Sequence, residues 1–100
     1  MNLRVEFREA SREDFDDALD WYWAHGEAIR DSFRAAVDAT LKRIAASPRA
    51  FPVVAGTRAR RALVSGFPYA ILFTIEHEFI NIFSVFHTSR NPIIWQGRIG

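Results

Sequence analysis

The sequence predicts an α+β domain of order β-α-α-β-β-β, with an N-terminal helical hairpin packed on one face of a small, twisted, mainly antiparallel sheet. Three observations predict it. Apolar residues keep helical spacing from about residue 11 to 46 and are interrupted once, by Gly26. From Arg58 to His87 the pattern changes to strand-length apolar runs. The opening "LRVEF" alternates apolar and charged residues, and a lone strand must pair with others to be stable. At 100 residues, 49% of them apolar, the chain reads as one domain spanning 1–100.

Each element has a local reason. In "LRVEF", Leu3, Val5 and Phe7 face the core. Ser11 with Asp14 three residues later predicts a capping-box start for the first helix. Glu13, Asp14, Asp16 and Asp17 follow, where the helix dipole favours acids. Phe15, Ala18, Leu19 and Tyr22 form its apolar stripe, and Gly26 ends it. The second helix runs from about Glu27 to Ala46, with Ile29, Phe33, Val37, Leu41 and Ile44 on one face. Ser47-Pro48 stops it. "PRAFPVVAGT" is a loop, and "RARRALV" a short basic strand. "PYAILFTIE" and "FINIFSVFH" are apolar on both faces, as central strands are, and join through "HE" into an antiparallel meander. The tail from Thr88 reads as irregular, with Trp95, Ile93 and Ile94 folding back onto the uncovered sheet face or binding a partner.

Composition narrows the function. There are no cysteines, so disulfide and thiolate chemistry are excluded. No apolar run is long enough to cross a bilayer, and "MNLRVEFREA" lacks a signal-peptide apolar region. The expectation is a cytoplasmic protein with no membrane partner. Nine Phe and three Trp in so short a chain call for a dense core, an exposed apolar groove, or both. Residues 1–47 carry ten acids and seven bases, whereas residues 48–100 carry two acids and six bases. The basic second half suits an anionic partner, although ordinary solubility explains it equally.

Several chemistries lack their residues. His25, His77 and His87 have no metal-ligand spacing, and no cofactor motif is present. The glycines form no phosphate loop, and neither Ser65 nor Ser84 sits in a nucleophile elbow. What remains is an Arg/His/Tyr site able to stabilise charge and move a proton at a phosphodiester. In "RARR", an extended chain puts Arg58 and Arg60 on one face and Arg61 on the other, to grip phosphates or acids or simply to blunt an edge strand. Tyr69 offers an acid or a stacking platform, or packs its ring at the rim. His87 and Arg90 read as a proton shuttle beside a charge clamp, or as strand-end structural groups.

The ordered set of pieces resembles a known family. Phe7 and Ala10, "DWYW", Phe33, "SPRAFP", Arg61, "FPYAILFTIE" and "VFHTSRNPIIWQGR" follow one another as in the RelE/ParE superfamily of type II toxin–antitoxin toxins. With its C-terminal pattern H-x-x-R-x-P-x-x-W-x-x-R, the set as a whole most resembles the ParE-like, plasmid-stabilisation branch. The resemblance implies a toxin neutralised by a cognate antitoxin, ParD-like and ribbon-helix-helix, whose C-terminal segment wraps the toxin into a hetero-oligomer. It implies partner contacts through Arg58, Arg60, Arg61, Tyr69, Arg90, Trp95 and Arg98. RelE-like relatives cleave mRNA on the ribosome with several basic residues and commonly a C-terminal tyrosine. Here Lys42 is the one lysine, and no tyrosine follows Tyr69. Arg61, His87 and Arg90 remain as a ribonuclease set without a C-terminal acid. The resemblance therefore points to the ParE-like mode, inhibition of DNA gyrase by binding. The endoribonuclease and a non-toxic, antitoxin-binding relic are the alternatives.

Overall fold

The computed structural model describes residues 2–89 and 93–98. Its elements are β1 (Arg4–Phe7), α1 (Glu9–Trp23), α2 (Glu27–Ala46), β2 (Arg60–Leu63), β3 (Tyr69–Ile75), β4 (Phe79–His87) and α3 (Ile93–Gln96), with a 3₁₀ turn at Pro48–Ala50 after α2. The order is the expected one, with a short helix added where the tail was read as irregular.

The four strands form one sheet in the order β1-β4-β3-β2. β2, β3 and β4 make the antiparallel meander, and β1 joins it parallel to β4, from Arg4 opposite Phe79 to Phe7 opposite Ile82. β3 and β4 are apolar on both faces because they are central. β2 begins at Arg60, so Arg58 lies before it.

The helical hairpin covers one face. α1 buries Ser11, Phe15, Ala18, Leu19 and Tyr22, and α2 buries Phe33, Val37, Thr40 and Ile44. Gly26 joins the helices at φ 132°, a conformation that a side chain would strain. Ile29, read as a core residue, is 40% exposed in the first turn of α2, beyond the sheet's reach. Phe33 is the hub, with ring centroids 4.8 Å from Tyr22, 5.2 Å from Phe67 and Tyr69, and 6.0 Å from Phe15. Ile71, Phe73, Ile80, Ile82 and Val85 supply the sheet side of this core.

The opposite face holds a smaller cluster of Ala59, Leu72, Phe83 and Trp95, flanked by Val54 and Phe86. The C-terminal tail does cover it. Trp95 is 5% exposed, 6.1 Å from the Phe83 ring and 6.4 Å from Phe86. The Ile93 and Ile94 side chains fall outside what is described.

A bulge links the two faces. Phe73 pairs with Ile82 and Leu72 with Ser84, so Phe83 is the extra residue in β4. Simple alternation puts Phe83, Val85 and His87 on one side. The extra residue instead sends Phe83 to the Trp95 cluster and Val85 to the helix-covered core.

Candidate functional site

The bulge lies where β1 ends. Beyond Ile82, β4 has no neighbouring strand on that side among the described residues, and its backbone groups need other partners. α1 provides them. The Ser11 hydroxyl lies 2.7 Å from both the Arg8 and Ile82 carbonyl oxygens. The Val85 N–H donates to Asp14 Oδ2 at 3.1 Å. Arg98, just after α3, binds the same carboxylate with both terminal nitrogens, at 2.6 and 3.2 Å, and donates to the Phe83 carbonyl at 3.2 Å. Ser11 and Asp14 therefore do not form a capping box. The residue before α1 is Arg8, and no side chain caps the helix. The three-residue spacing reflects one inward helix face that seals a strand edge.

Above this seal, α1 and the β3–β4 end enclose an open cleft of about 360 Å³. Asp14, Asp17, Ala18 and Trp21 line it from α1, one face at helical spacing. Tyr69, Val85 and His87 line it from the sheet. Tyr69 is buried, its ring edge-on to His87 at 5.1 Å. The lone pair of His87 Nδ1 is taken by the Ser89 N–H at 3.2 Å, with the Ser89 hydroxyl at 2.8 Å, which leaves Nδ1 poorly placed as a base. Burial, and then the neighbouring Tyr69, hold the Tyr22 phenol above its ordinary 10.0, so it stays protonated as a donor.

The other residues singled out in the sequence are dispersed. Arg58 pairs with Glu76 at 2.9 Å. Arg60 donates to the Phe51 carbonyl at 2.7 Å and the Arg49 carbonyl at 3.3 Å, tying the loop after α2 to the sheet. Arg58 and Arg60 therefore do not form a two-pronged grip, because the strand starts after Arg58. Arg61 pairs across β3 with Leu72, on the Trp95 side, and is exposed. His87 pairs with Tyr69, on the helix side. The structure thus sends Arg61 and His87 to opposite faces. Trp95 and Arg98 are both engaged in holding the tail, and Arg90 lies outside the described residues. Sequence reasoning missed Asp14, Asp17, Trp21 and Tyr22 as neighbours of one cleft. The signal was present in "DWYW" and its upstream acids, but only the path of β4 shows which helix face meets the strand end.

A second polar group closes the far end of the Trp95 side. Thr74 and Asn81 pair across β3 and β4, and the Asn81 amide donates to the Thr74 hydroxyl at 3.3 Å. The Thr74 hydroxyl donates to Glu76 Oε2 at 2.6 Å, and Arg8 donates to Asn81 Oδ1 at 3.3 Å.

Among the described residues, no helix is long and apolar enough to cross a membrane. No curated protein matches the sequence. Among solved structures, one chain of the "Chromosomal ParDE TA system from P. aeruginosa" superposes with a TM-score of 0.76 over 87% of this chain and 97% of that one, at 12% identity, a likeness of fold. The sequence model for the family described as "ParE toxin of type II toxin-antitoxin system, parDE" matches residues 5–92, from β1 through the end of β4. The chain therefore belongs to the ParE toxin family of type II toxin–antitoxin systems.

Proposed function

We propose that this toxin acts by binding, in the cytoplasm, as an inhibitor of DNA gyrase, and that a cognate ParD-like antitoxin of ribbon-helix-helix type neutralises it. The observation that carries this reading is the separation of Arg61 from His87 by the sheet. A ribonuclease needs its charge clamp and proton donor within reach of one phosphodiester. Two residues on opposite faces of a sheet cannot meet that need. The Trp95 ring, moreover, packs in the cluster that holds Leu72, the residue paired with Arg61. The RelE-like alternative loses the pairing of Arg61 with His87, and stable capture of another protein becomes the better account.

The surface supports capture. Trp21, Trp23, Ile29, Val53 and Leu63 are large apolar residues left exposed. A segment that folds as it wraps the toxin covers such scattered anchors at modest ordering cost. The structurally similar chain comes from a ParDE pair, which supports an antitoxin partner here.

Supercoiling by purified gyrase tests the reading. Inhibition that rises with toxin and is reversed by the product of an adjacent ribbon-helix-helix gene is the expected result. Unchanged supercoiling at saturating toxin, together with codon-linked cuts in cellular mRNA by primer extension, would restore the endoribonuclease. Normal growth on induction without antitoxin would identify the non-toxic relic.

A further inference from the structure

One face of α1 changes character turn by turn. Asp14 is fully committed to Arg98 and the β4 edge. Asp17, one turn on, is exposed and lines the cleft, and no described Arg or Lys forms an ion pair with it. Trp21, a further turn on, is 56% exposed, with one side stacked on His25 at 4.1 Å and Tyr22 edge-on at 5.0 Å. Tyr22 is 6% exposed and lines the same cleft.

From this arrangement we infer that the cleft is a pocket for one arginine side chain carried on a partner segment. A guanidinium is planar, weakly hydrated and always charged. It can lie against the Trp21 indole while its N–H groups reach Asp17 and the Tyr22 oxygen. An ammonium satisfies Asp17 but does not match the flat aromatic wall. An apolar anchor would desolvate Asp17 and the Tyr22 hydroxyl without pairing them. A phosphate or a partner carboxylate would meet the Asp17 charge. The space, about 360 Å³, admits a whole arginine side chain. That the arginine belongs to the antitoxin rests on the function proposed above, whereas the pocket's preference for guanidinium does not.

The test uses the full chain, labelled with ¹⁵N, and three probes: the N-acetyl N-methylamides of arginine, citrulline and lysine. The Trp21 indole N–H resonance, assigned by Trp21→Phe, reports binding. The expected result is a saturable shift with the arginine probe, about fivefold weaker binding of citrulline, and lysine in between. Asp17→Asn, with unchanged circular dichroism, should erase the difference between arginine and citrulline. Equal binding of arginine and citrulline by the unmodified chain overturns the inference, as does the absence of saturable shifts. So does binding seen only after Arg90→Ala, because the chain would then be filling its own pocket. Failure of gyrase inhibition with arginine binding intact would remove the proposed target and leave the pocket standing.

Discussion

The two faces of the sheet are built on different physics. The helix-covered face is a closed aromatic core in which Phe33 touches four other rings and is 0% exposed. On the opposite face the one helix among the described residues is the four-residue α3. That face is divided between an apolar patch under Trp95 and the Thr74–Asn81–Glu76–Arg58 group. One face is stabilised by a large area removed from water, and the other by a smaller apolar cluster and by hydrogen bonds that run from the buried Thr74 and Asn81 to the half-exposed Glu76 and exposed Arg58. The difference teaches where this toxin's stability lies and where a partner can work. The helix face tolerates little change, and the Trp95 face is held by contacts that can be undone one at a time.

The sharpest way to break the comparison is Phe33→Ala. A cavity at the hub should cost about 3–5 kcal/mol, because rings on three sides cannot all collapse into it. Urea denaturation measures it. A loss under about 1 kcal/mol would mean that the helix face is no more closed than the other. Trp95→Ala is the matched change on the second face. It should cost less, about 2–3 kcal/mol, because a four-residue helix can shift to fill part of the space. A loss equal to that of Phe33→Ala would erase the asymmetry between the faces.

Much of the first face was legible in the sequence. Phe15, Leu19, Tyr22, Phe33, Val37 and Ile44 announce themselves by spacing, because a helix that must cover a sheet has one stripe to offer. The order of elements and the return of Trp95 were legible for the same reason: apolar surface must be covered. The candidate site was much less so. The Phe83 bulge reverses the alternation that places Val85 and His87, and no residue type signals a bulge of this kind. The role of Asp14 depends on β1 ending at Phe7, opposite Ile82, a matter of relative strand length. Its local pattern mimics a helix cap, and short-range chemistry was the wrong scale on which to read it. Ile29 fails for a simpler reason, since helical spacing continues past the edge of the sheet.

The Asp14–Arg98 pair joins the two faces and should rank next in effect. Its side chains are 22% and 25% exposed, so screening is partial. Arg98→Met keeps the stem but leaves Asp14 uncompensated and the Phe83 carbonyl without its donor. Asp14→Asn keeps the shape, removes the charge and weakens the bond to the Val85 N–H. Each should cost about 1–2 kcal/mol. In a double-mutant cycle the coupling should be about 1 kcal/mol, because both act through one carboxylate. Additive losses would mean that the β4 edge is sealed by the backbone geometry alone. Hydrogen exchange gives an independent reading: the Val85 amide should lose protection in either variant, while the Ile71 amide should not.

The smallest effect isolates the polar end of the second face. The Thr74 hydroxyl and then the Arg58 guanidinium hold the Glu76 carboxyl below its ordinary 4.5, with burial opposing them. A carboxylate depressed in the folded state binds fewer protons there than in the unfolded chain. Its contribution is therefore fully present above 4.5 and is lost as pH falls through the lower, folded value. The unmodified protein should lose stability over that acid window more steeply than Glu76→Gln, with the two curves converging at the lowest pH. Thr74→Val should flatten the slope more than Arg58→Gln, because the hydroxyl at 2.6 Å is the larger cause. The reverse order would show that the ion pair governs this end of the sheet. Identical slopes in the unmodified protein and Glu76→Gln would leave the Trp95 side with no contribution from the Glu76 charge, its stability resting on the apolar cluster under Trp95.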